Sequence, residues 1–351
     1  MKTINVGILG YGLSGRVFHM PVIRSLEGFR VTSILTKNPE AIAEIHREDP
    51  SIWIAATPEE ILESPAVDLV VVAVPNTLHF DLASRALKHG KHVVVEKPFT
   101  ITAAEAEGLR DLAREQGRVL STYHNRRWDG DFKTIQRLAA SGVLGTLAEF
   151  ESHFDRFRPV PKAGSWREES GPGTGLLYDL GSHLIDQALT LFGMPQRLFA
   201  DLRIQRPAGE SVDSFELLLD YDGLKVTLKS GSLVREPLPR FVLQGDRGSF
   251  VKYGLDVQED ALKAGLRPEQ ESAWGREPES RYGTLHTDIG GLVTRGVVET
   301  LPGDYREYYR GIHRAIVEGA EPPVTAQQAV NVMRIIELAM ESAEKGLVMV
   351  L

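Results

Sequence analysis

The sequence predicts an α/β protein with a doubly wound parallel sheet at its N-terminal end and a second α/β domain whose open sheet is mainly antiparallel. Three observations support this fold class. Strand-like apolar runs alternate with helix-like segments through the first 122 residues, a glycine-rich turn links the first strand to the first helix, and hairpin signals follow one another in the second half. We therefore place the domains at 1–122 and 123–351.

The composition is typical of a globular protein with two domains of ordinary size. The chain has 351 residues, of which 42% are hydrophobic and 25% charged, and its formal net charge of −8 has the two signs interspersed. This charge argues against nucleic acid or an anionic membrane as a partner. The lack of cysteine excludes disulfides, thiolate catalysis and Cys-type zinc or iron–sulfur sites. Because we find no leader pattern and no apolar stretch near the roughly 20 residues that span a bilayer, we expect a cytoplasmic protein.

The glycine-rich turn lies between the strand-like run Val6–Leu9 and a helix-like segment, Val17–Leu26. Gly10, Gly12 and Gly15 have the G-x-G-x-x-G spacing: the first permits a tight turn, the second lets a pyrophosphate approach the backbone, and the third allows close packing of helix and strand. Free N–H groups at the helix start would face the phosphates. We therefore predict a dinucleotide site rather than a plain tight turn, with contacts from Gly10, Tyr11, Gly12, Leu13, Ser14 and Gly15.

The end of the second predicted strand, Arg30–Leu35, indicates which dinucleotide binds. NAD-preferring sites usually carry Asp or Glu here to hold the ribose 2′-OH, whereas this chain has Thr36, Lys37 and Asn38. A hydroxyl and a cation suit a 2′-phosphate better than a bare diol. The prediction is NADP, with NAD as second choice. The alternative is that Lys37 is a solvated loop lysine.

The rest of the first domain continues the alternation. Apolar runs such as Val67–Val74 are typical of strands buried on both faces of a parallel sheet. Helix starts are indicated at Thr57-Pro58 and Thr102, and a helix end at Gly90. Further strands are predicted at Ile52–Ala55, His92–Glu96 and Val119–Thr122. Ligands bind such sheets at the carboxyl ends of the strands, so one edge should hold Gly10, Thr36, Pro75, Lys97 and Tyr123.

The second domain should combine helices with successive hairpins. Asp222-Gly223 is a strong hairpin signal, and Gly245–Gly248 reads as a second turn. The polar, glycine-rich segment Tyr253–Thr300 is expected to run over the surface. Predicted helices are Asp131–Ala140, Leu176–Phe192, Tyr305–Glu318 and Ala326–Glu344. Predicted strands are Thr146–Phe154, Gln196–Leu202, Ser214–Leu219, Lys225–Leu228, Phe241–Gln244 and Ser249–Lys252.

Two features could carry acid–base chemistry. Lys97 directly follows a buried strand, where partial burial would prepare its amine to donate a proton or polarise an oxygen; the alternative is a structural pair with Glu96. Asp179 and His183 are four apart on a predicted helix and so lie on the same face. The carboxylate could orient the imidazole as a general base, or the two could make an ordinary helix-surface contact. A metal site is disfavoured, because this spacing offers two ligands and no obvious third.

Several arginines leave the nature of the ligand open. Their number suggests an anionic or hydroxyl-rich ligand, although they could equally be solvated or serve the cofactor phosphates. These residues are Arg126, Arg127, Arg156 and Arg158, and Asn125 stands beside the first of them as a candidate cleft residue.

Together the motifs resemble those of the Gfo/Idh/MocA (glucose-fructose oxidoreductase / inositol dehydrogenase) family. The matching motifs are the glycine turn Gly10–Gly15, Pro75-Asn76-x-x-His79, Glu96-Lys97-Pro98 and Asp179-x-Gly181-x-His183, which span both domains. Tyr123–Asp129, Glu151–Pro159 and Trp166-Arg167 resemble a narrower bacterial branch that includes NADP-dependent scyllo-inositol dehydrogenases.

The resemblance implies an N-terminal Rossmann domain and a C-terminal α/β domain for substrate binding and oligomerisation, with a homodimer or homotetramer formed through the C-terminal sheet. It implies hydride transfer between NAD(P) and a secondary alcohol of a cyclic polyol or sugar. The catalytic set would be Lys97, Asp179 and His183. Further cofactor contacts would be Pro75, Asn76, His79, Glu96, Lys97, Asn125, Trp166 and Arg167. Two other functions remain open: a non-catalytic NADP- or sugar-responsive regulator, and an aldose, dihydrodiol or imino-group reductase on the same fold.

Overall fold

The computed structural model describes residues 2–351, and contacts divide the chain into two compact units. The first comprises Met1–Asn125, Gln258–Trp274 and Asp304–Met333, and the second comprises Arg126–Val257, Gly275–Gly303 and Arg334–Leu351. Two later segments of the chain therefore group with the N-terminal unit. The bounds predicted from the sequence, 1–122 and 123–351, stay a prediction.

The first unit contains the parallel sheet that the sequence predicts. Its strands are β1 (Ile4–Leu9), β2 (Phe29–Leu35), β3 (Trp53–Ala55), β4 (Leu69–Val72), β5 (His92–Val95) and β6 (Leu120–Thr122). They lie in the order β3-β2-β1-β4-β5-β6, and every neighbouring pair is parallel. All of β4 is buried, as expected for a strand covered on both faces. The order reverses between β1 and β4, which is where doubly wound sheets bind their ligands.

The second unit contains a nine-stranded sheet. Its strands are β7 (Leu147–His153), β8 (Arg197–Arg203), β9 (Ser214–Tyr221), β10 (Leu224–Gly231), β11 (Phe241–Gly245), β12 (Gly248–Lys252), β13 (Gly283–Ile289), β14 (Leu292–Val298) and β15 (Met349–Val350). The order is β14-β13-β12-β11-β7-β10-β9-β8-β15, and only the β7–β10 pair is parallel. The predicted hairpin at Asp222-Gly223 joins β9 to β10, and the α/β class with a mainly antiparallel second sheet is confirmed.

Most of the helices match predicted segments. The helices are α1 (Met20–Arg24), α2 (Pro39–Glu48), α3 (Pro58–Leu62), α4 (His79–Lys88), α5 (Ala103–Glu115), α6 (Gly130–Ser141), α7 (Ser182–Phe192), α8 (Gln258–Lys263), α9 (Arg306–Glu318) and α10 (Ala326–Lys345). Of these, α2 and α8 are not predicted from the sequence. Thr102 caps α5 as predicted: its Oγ1 accepts the Glu105 N–H at 3.1 Å, and the Glu105 carboxylate accepts the Thr102 N–H at 3.2 Å. None of the helices within residues 2–351 has the length and apolarity needed to cross a membrane.

Two helices begin in a form that the sequence does not predict. Ser14–His19 is a π-helical turn that runs into α1, and Leu177–Gly181 is another that runs into α7. Such turns are rare and recur at functional sites. Both lie within motifs of the candidate site.

The expectation that Tyr253–Thr300 runs over the surface holds for part of this segment, such as the exposed strand β14, but not for all of it. Part of it forms α8, and the buried Gln258 side chain accepts hydrogen bonds from Trp274 Nε1 at 3.1 Å and from the Tyr305 N–H at 2.9 Å. Another part forms the β13–β14 hairpin, whose Gly290-Gly291 turn has positive φ at both residues. A polar composition misleads here because buried polar groups are stabilised once they are paired.

Candidate active site

The glycine turn has the geometry of a phosphate cradle. Gly10 has φ +97°, and a Cβ there would lie 2.4 Å from the Ala73 carbonyl oxygen. A Cβ on Gly15 would lie 2.4 Å from the Gly10 carbonyl oxygen. A Cβ on Gly12 would meet nothing within 4 Å. The protein's own packing therefore requires glycine at the first and third positions, while the second borders open space that a pyrophosphate could fill.

A cleft of about 630 Å³ opens beside this turn. Lys37 is the basic residue among those that line it, and Glu59 is the acidic one. Glu59 forms an ion pair with Arg85. The cleft's size and its cation beside a glycine turn fit a dinucleotide. The structure brings predicted cofactor residues from two strand ends together here, namely Gly10, Tyr11, Gly12, Thr36 and Lys37.

Asn38, next to Lys37, has a structural role as the N-cap of a helix. Its Oδ1 accepts the backbone N–H groups of Glu40 at 2.9 Å and Ala41 at 3.4 Å, which caps α2. Thr36 Oγ1 accepts the Asn38 N–H at 3.3 Å. Lys37 is the positively charged residue of this segment, and it lines the cleft.

Lys97 follows β5, as predicted, and is half-buried. Its backbone N–H donates to Glu96 Oε2 at 2.9 Å. Glu96 Oε1 accepts from Ser14 Oγ, in the glycine turn, and lies 3.0 Å from His19 Nε2. Burial alone would raise the pKa of Glu96, but the hydrogen bonds from His19 and Ser14 and the charge of Lys97 lower that pKa to about 2. Glu96 is therefore a buried carboxylate that links Ser14 of the glycine turn to the backbone of Lys97.

The Pro75-Asn76-x-x-His79 segment forms a short 3₁₀ turn, Asn76–Leu78, that leads into α4. The Asn76 and His79 side chains are buried. His79 Nδ1 lies 2.8 Å from the Pro98 carbonyl oxygen, and Nε2 lies 3.0 Å from that of Val74. Both ring nitrogens of His79 thus face the backbone, and cofactor contact by this segment stays a prediction.

Asp179 and His183 belong to the second unit. Asp179 lies in the π-helical turn that precedes α7, and His183, which is buried, lies in the first turn of α7. Asp179 Oδ2 lies 3.6 Å from Arg156 Nη1, and its Oδ1 lies 3.9 Å from Arg167 Nε. Two guanidinium groups therefore lie beside this carboxylate, one near each of its oxygens.

The remaining residues that are predicted to contact the cofactor differ in burial and in their neighbours. The Arg167 guanidinium stacks over the Trp166 ring with 4.4 Å to its centroid, and Asn125 is buried at the start of a 3₁₀ turn. Ser14 contacts Glu96, whereas Leu13 is exposed. The roles of all these residues toward a cofactor stay predictions.

The partners of two site carboxylates were not predicted from the sequence. Ser14 and His19 contact Glu96, and Arg156 and Arg167 lie beside Asp179. The Arg156–Asp179 and Ser14–Glu96 contacts cross long stretches of chain, so no local spacing marks them. In the sequence, the one indication that Glu96 and Asp179 have such partners is that each lies inside a motif of the candidate site.

Two family models match the chain along most of its length. The "Oxidoreductase family, NAD-binding Rossmann fold" model matches residues 4–124, and the "Oxidoreductase family, C-terminal alpha/beta domain" model matches residues 137–351. Both describe Gfo/Idh/MocA proteins. The matches cover the glycine turn and Lys97 in the first region, and Asp179 and His183 in the second.

Curated relatives match over nearly their full length. The scyllo-inositol 2-dehydrogenase (NADP(+)) IolW of Bacillus subtilis is 46% identical over 345 residues, which is 98% of this chain and 95% of that protein. YdgJ of Escherichia coli, named an uncharacterized oxidoreductase, is 44% identical over 341 residues, covering 97% of this chain and 96% of its own.

Solved structures share the whole fold. YvaA of Bacillus subtilis has a TM-score of 0.96 at 45% identity, with 100% of this chain and 99% of that one covered. An oxidoreductase of Bacillus cereus has a TM-score of 0.91 at 33% identity, with 99% of each chain covered. From its two matched regions and these full-length relatives, the chain belongs to the Gfo/Idh/MocA family of oxidoreductases, with an NAD(P)-binding Rossmann domain.

Proposed function

We propose that this protein catalyses the reversible oxidation of a secondary alcohol on a cyclic polyol or sugar, with NADP(H) as its preferred cofactor. One observation carries the proposal: the glycine-turn cleft is lined by Thr36 and Lys37 at the end of β2, where an NAD site usually has an acid. The 46% identity to an NADP(+)-dependent scyllo-inositol 2-dehydrogenase supports both the cofactor and the substrate class.

Three side chains would carry the reaction. The bound cofactor supplies the hydride acceptor. His183 removes the hydroxyl proton, and Asp179 orients the imidazole and stabilises its charged form. Lys97 hydrogen-bonds the reacting oxygen and stabilises the charge that develops there. Arg156 and Arg167, within 4 Å of Asp179, would hold this carboxylate in place.

Assembly also belongs to the proposal. The family resemblance suggests a homodimer or homotetramer formed through the C-terminal sheet, and sedimentation of the purified protein would test this. A monomer at micromolar concentration would contradict it.

A substrate panel tests the proposed reaction. Inositol isomers and aldoses are each incubated with NADP⁺ or NAD⁺, and absorbance of the reduced nicotinamide is followed. We expect turnover of at least one inositol, with a higher kcat/KM for NADP⁺. Cofactor binding without turnover of any compound would favour a regulator. Activity confined to aldoses, dihydrodiols or imines would favour the other reductases, and a clear preference for NAD⁺ would contradict the cofactor assignment.

A further inference from the structure

The short turn that carries Lys97 contacts a buried histidine on each side. His19 Nε2 lies 3.0 Å from the side chain of Glu96, the residue before Lys97. His79 Nδ1 lies 2.8 Å from the carbonyl oxygen of Pro98, the residue after it. Both histidines are 0% exposed, so neither ring can exchange these contacts for water.

The His19 ring is fixed by its surroundings. Its Nδ1 lies 2.6 Å from the Tyr309 hydroxyl, and the Tyr123 ring contacts it in a tilted arrangement at a centroid distance of 4.3 Å. A carboxylate only accepts, so Nε2 must carry the proton that is shared with Glu96. Glu96 in turn accepts the backbone N–H of Lys97. A continuous series of hydrogen bonds therefore runs from Tyr309 to the Lys97 backbone.

The His79 ring lies between two carbonyl oxygens, those of Val74 and Pro98. Burial lowers the pKa of His79, which favours a neutral ring with a single N–H. Since a carbonyl oxygen only accepts, that ring donates to one of the two carbonyls. Nδ1 is the nitrogen that faces the Lys97 turn, and a proton on it would be donated to the Pro98 carbonyl oxygen.

We propose that His19 and His79 are positioning residues that fix the location of the Lys97 amine, His19 through a proton on Nε2 and His79 through a proton on Nδ1. The proposal rests on the function of Lys97 proposed above. Lysine has a flexible four-carbon stem, so the position of its amine depends in part on where the backbone holds the start of that stem. A misplacement of about 1 Å can cost about 100-fold in rate.

Amide side chains can test each ring nitrogen separately. The terminal amide of asparagine reaches about as far as histidine Nδ1, and that of glutamine about as far as Nε2. His19→Gln and His79→Asn therefore keep the donor that faces the Lys97 turn. His19→Asn and His79→Gln keep only the other one. Glutamine should therefore be the better substitute at position 19, and asparagine at position 79. A simple loss of packing would not produce this opposite pattern.

Within each pair, the variant that keeps the donor toward the Lys97 turn should have the higher kcat. We expect kcat to be about 10- to 100-fold higher in His19→Gln than in His19→Asn, and in His79→Asn than in His79→Gln. Cofactor Kd, measured by fluorescence titration, and Tm should agree within each pair. Equal kcat within both pairs, or a loss of kcat that follows cofactor Kd or Tm, would overturn the proposal. If one variant does not fold, the pair at the other position still decides.

Three further variants separate this proposal from the proposed function. His313 is a buried histidine of the same unit whose Nε2 faces the Lys2 carbonyl oxygen at 2.9 Å, so His313→Asn and His313→Gln should have equal kcat.

Lys97→Met tests the function itself. Full turnover in Lys97→Met would overturn the proposed function. Loss of turnover there, with unchanged kcat in all four variants of His19 and His79, would overturn only the positioning proposal.

Discussion

Arg127 and Asp186 form a two-point ion pair in the second unit. Arg127 Nε donates to Asp186 Oδ2 at 2.8 Å, and Nη2 donates to Oδ1 at 2.6 Å. The two side chains are only 9% and 2% exposed. From the sequence, Arg127 is a candidate to bind an anionic or hydroxyl-rich ligand. The structure gives its guanidinium a buried carboxylate partner instead, which indicates a role in stability.

Asp186→Asn should destabilise the protein strongly. The substitution keeps the shape of the side chain but removes the carboxylate of a buried ion pair, and loss of one partner from such a pair typically costs about 3–5 kcal/mol. Urea unfolding followed by circular dichroism measures the loss. The matched control is Asp220→Asn, which breaks the exposed cross-strand pair with Arg197 and should cost at most about 1 kcal/mol. Similar losses in the two variants would contradict a special role for the buried pair.

Gly12→Ala should separate cofactor binding from folding. A Cβ at this position meets no protein atom within 4 Å, so Tm should stay within a few degrees of the wild type. The methyl group would occupy the space needed by the pyrophosphate, and we expect the cofactor Kd to rise at least about tenfold, or about 1.4 kcal/mol. Gly15→Ala is the contrasting variant, because its Cβ would lie 2.4 Å from the Gly10 carbonyl oxygen, and its Tm should fall. Unchanged cofactor affinity in Gly12→Ala would place the phosphates elsewhere.

Lys37→Ala should reduce the preference for NADP. A hydrogen bond to a charged group contributes about 1.5–3 kcal/mol, so we expect kcat/KM for NADP⁺ to fall about 10- to 100-fold while that for NAD⁺ changes little. The control is Lys88→Ala, which removes an equal charge from an exposed position at the end of α4. Parallel losses with both cofactors would show that Lys37 does not recognise the 2′-phosphate.

The features that the sequence predicts well are local ones. The Thr102 cap, the Asp222-Gly223 hairpin and the conformation of Gly10 each depend on a few neighbouring residues, and the structure has all three. The contacts that sequence reasoning missed join distant positions. Arg127 and Asp186 are 59 residues apart, and His19 and Tyr309 are 290 apart. Which distant residues come into contact depends on the path of the folded chain. Local propensity and spacing do not specify that path.

Charge at Glu96 should contribute to stability in a defined pH range. Its pKa is lowered from the ordinary 4.5 to about 2 in the folded protein. A lowered pKa means that the stabilisation is fully present above about pH 4.5 and is lost as the pH falls from there toward 2. The shift corresponds to at most about 3 kcal/mol.

Glu96→Gln should therefore lower the free energy of unfolding at pH 7 and flatten its decline between pH 5 and pH 3, because the titrating group is gone. Urea unfolding at several pH values measures both effects. Glu344→Gln, at an exposed position near the end of α10, is the control and should follow the wild-type curve. If Glu96→Gln instead shows the wild-type decline with pH, the carboxylate that links Ser14, His19 and the Lys97 backbone is not ionised in the way the structure indicates, because an ionised Glu96 must take up a proton on unfolding in that range.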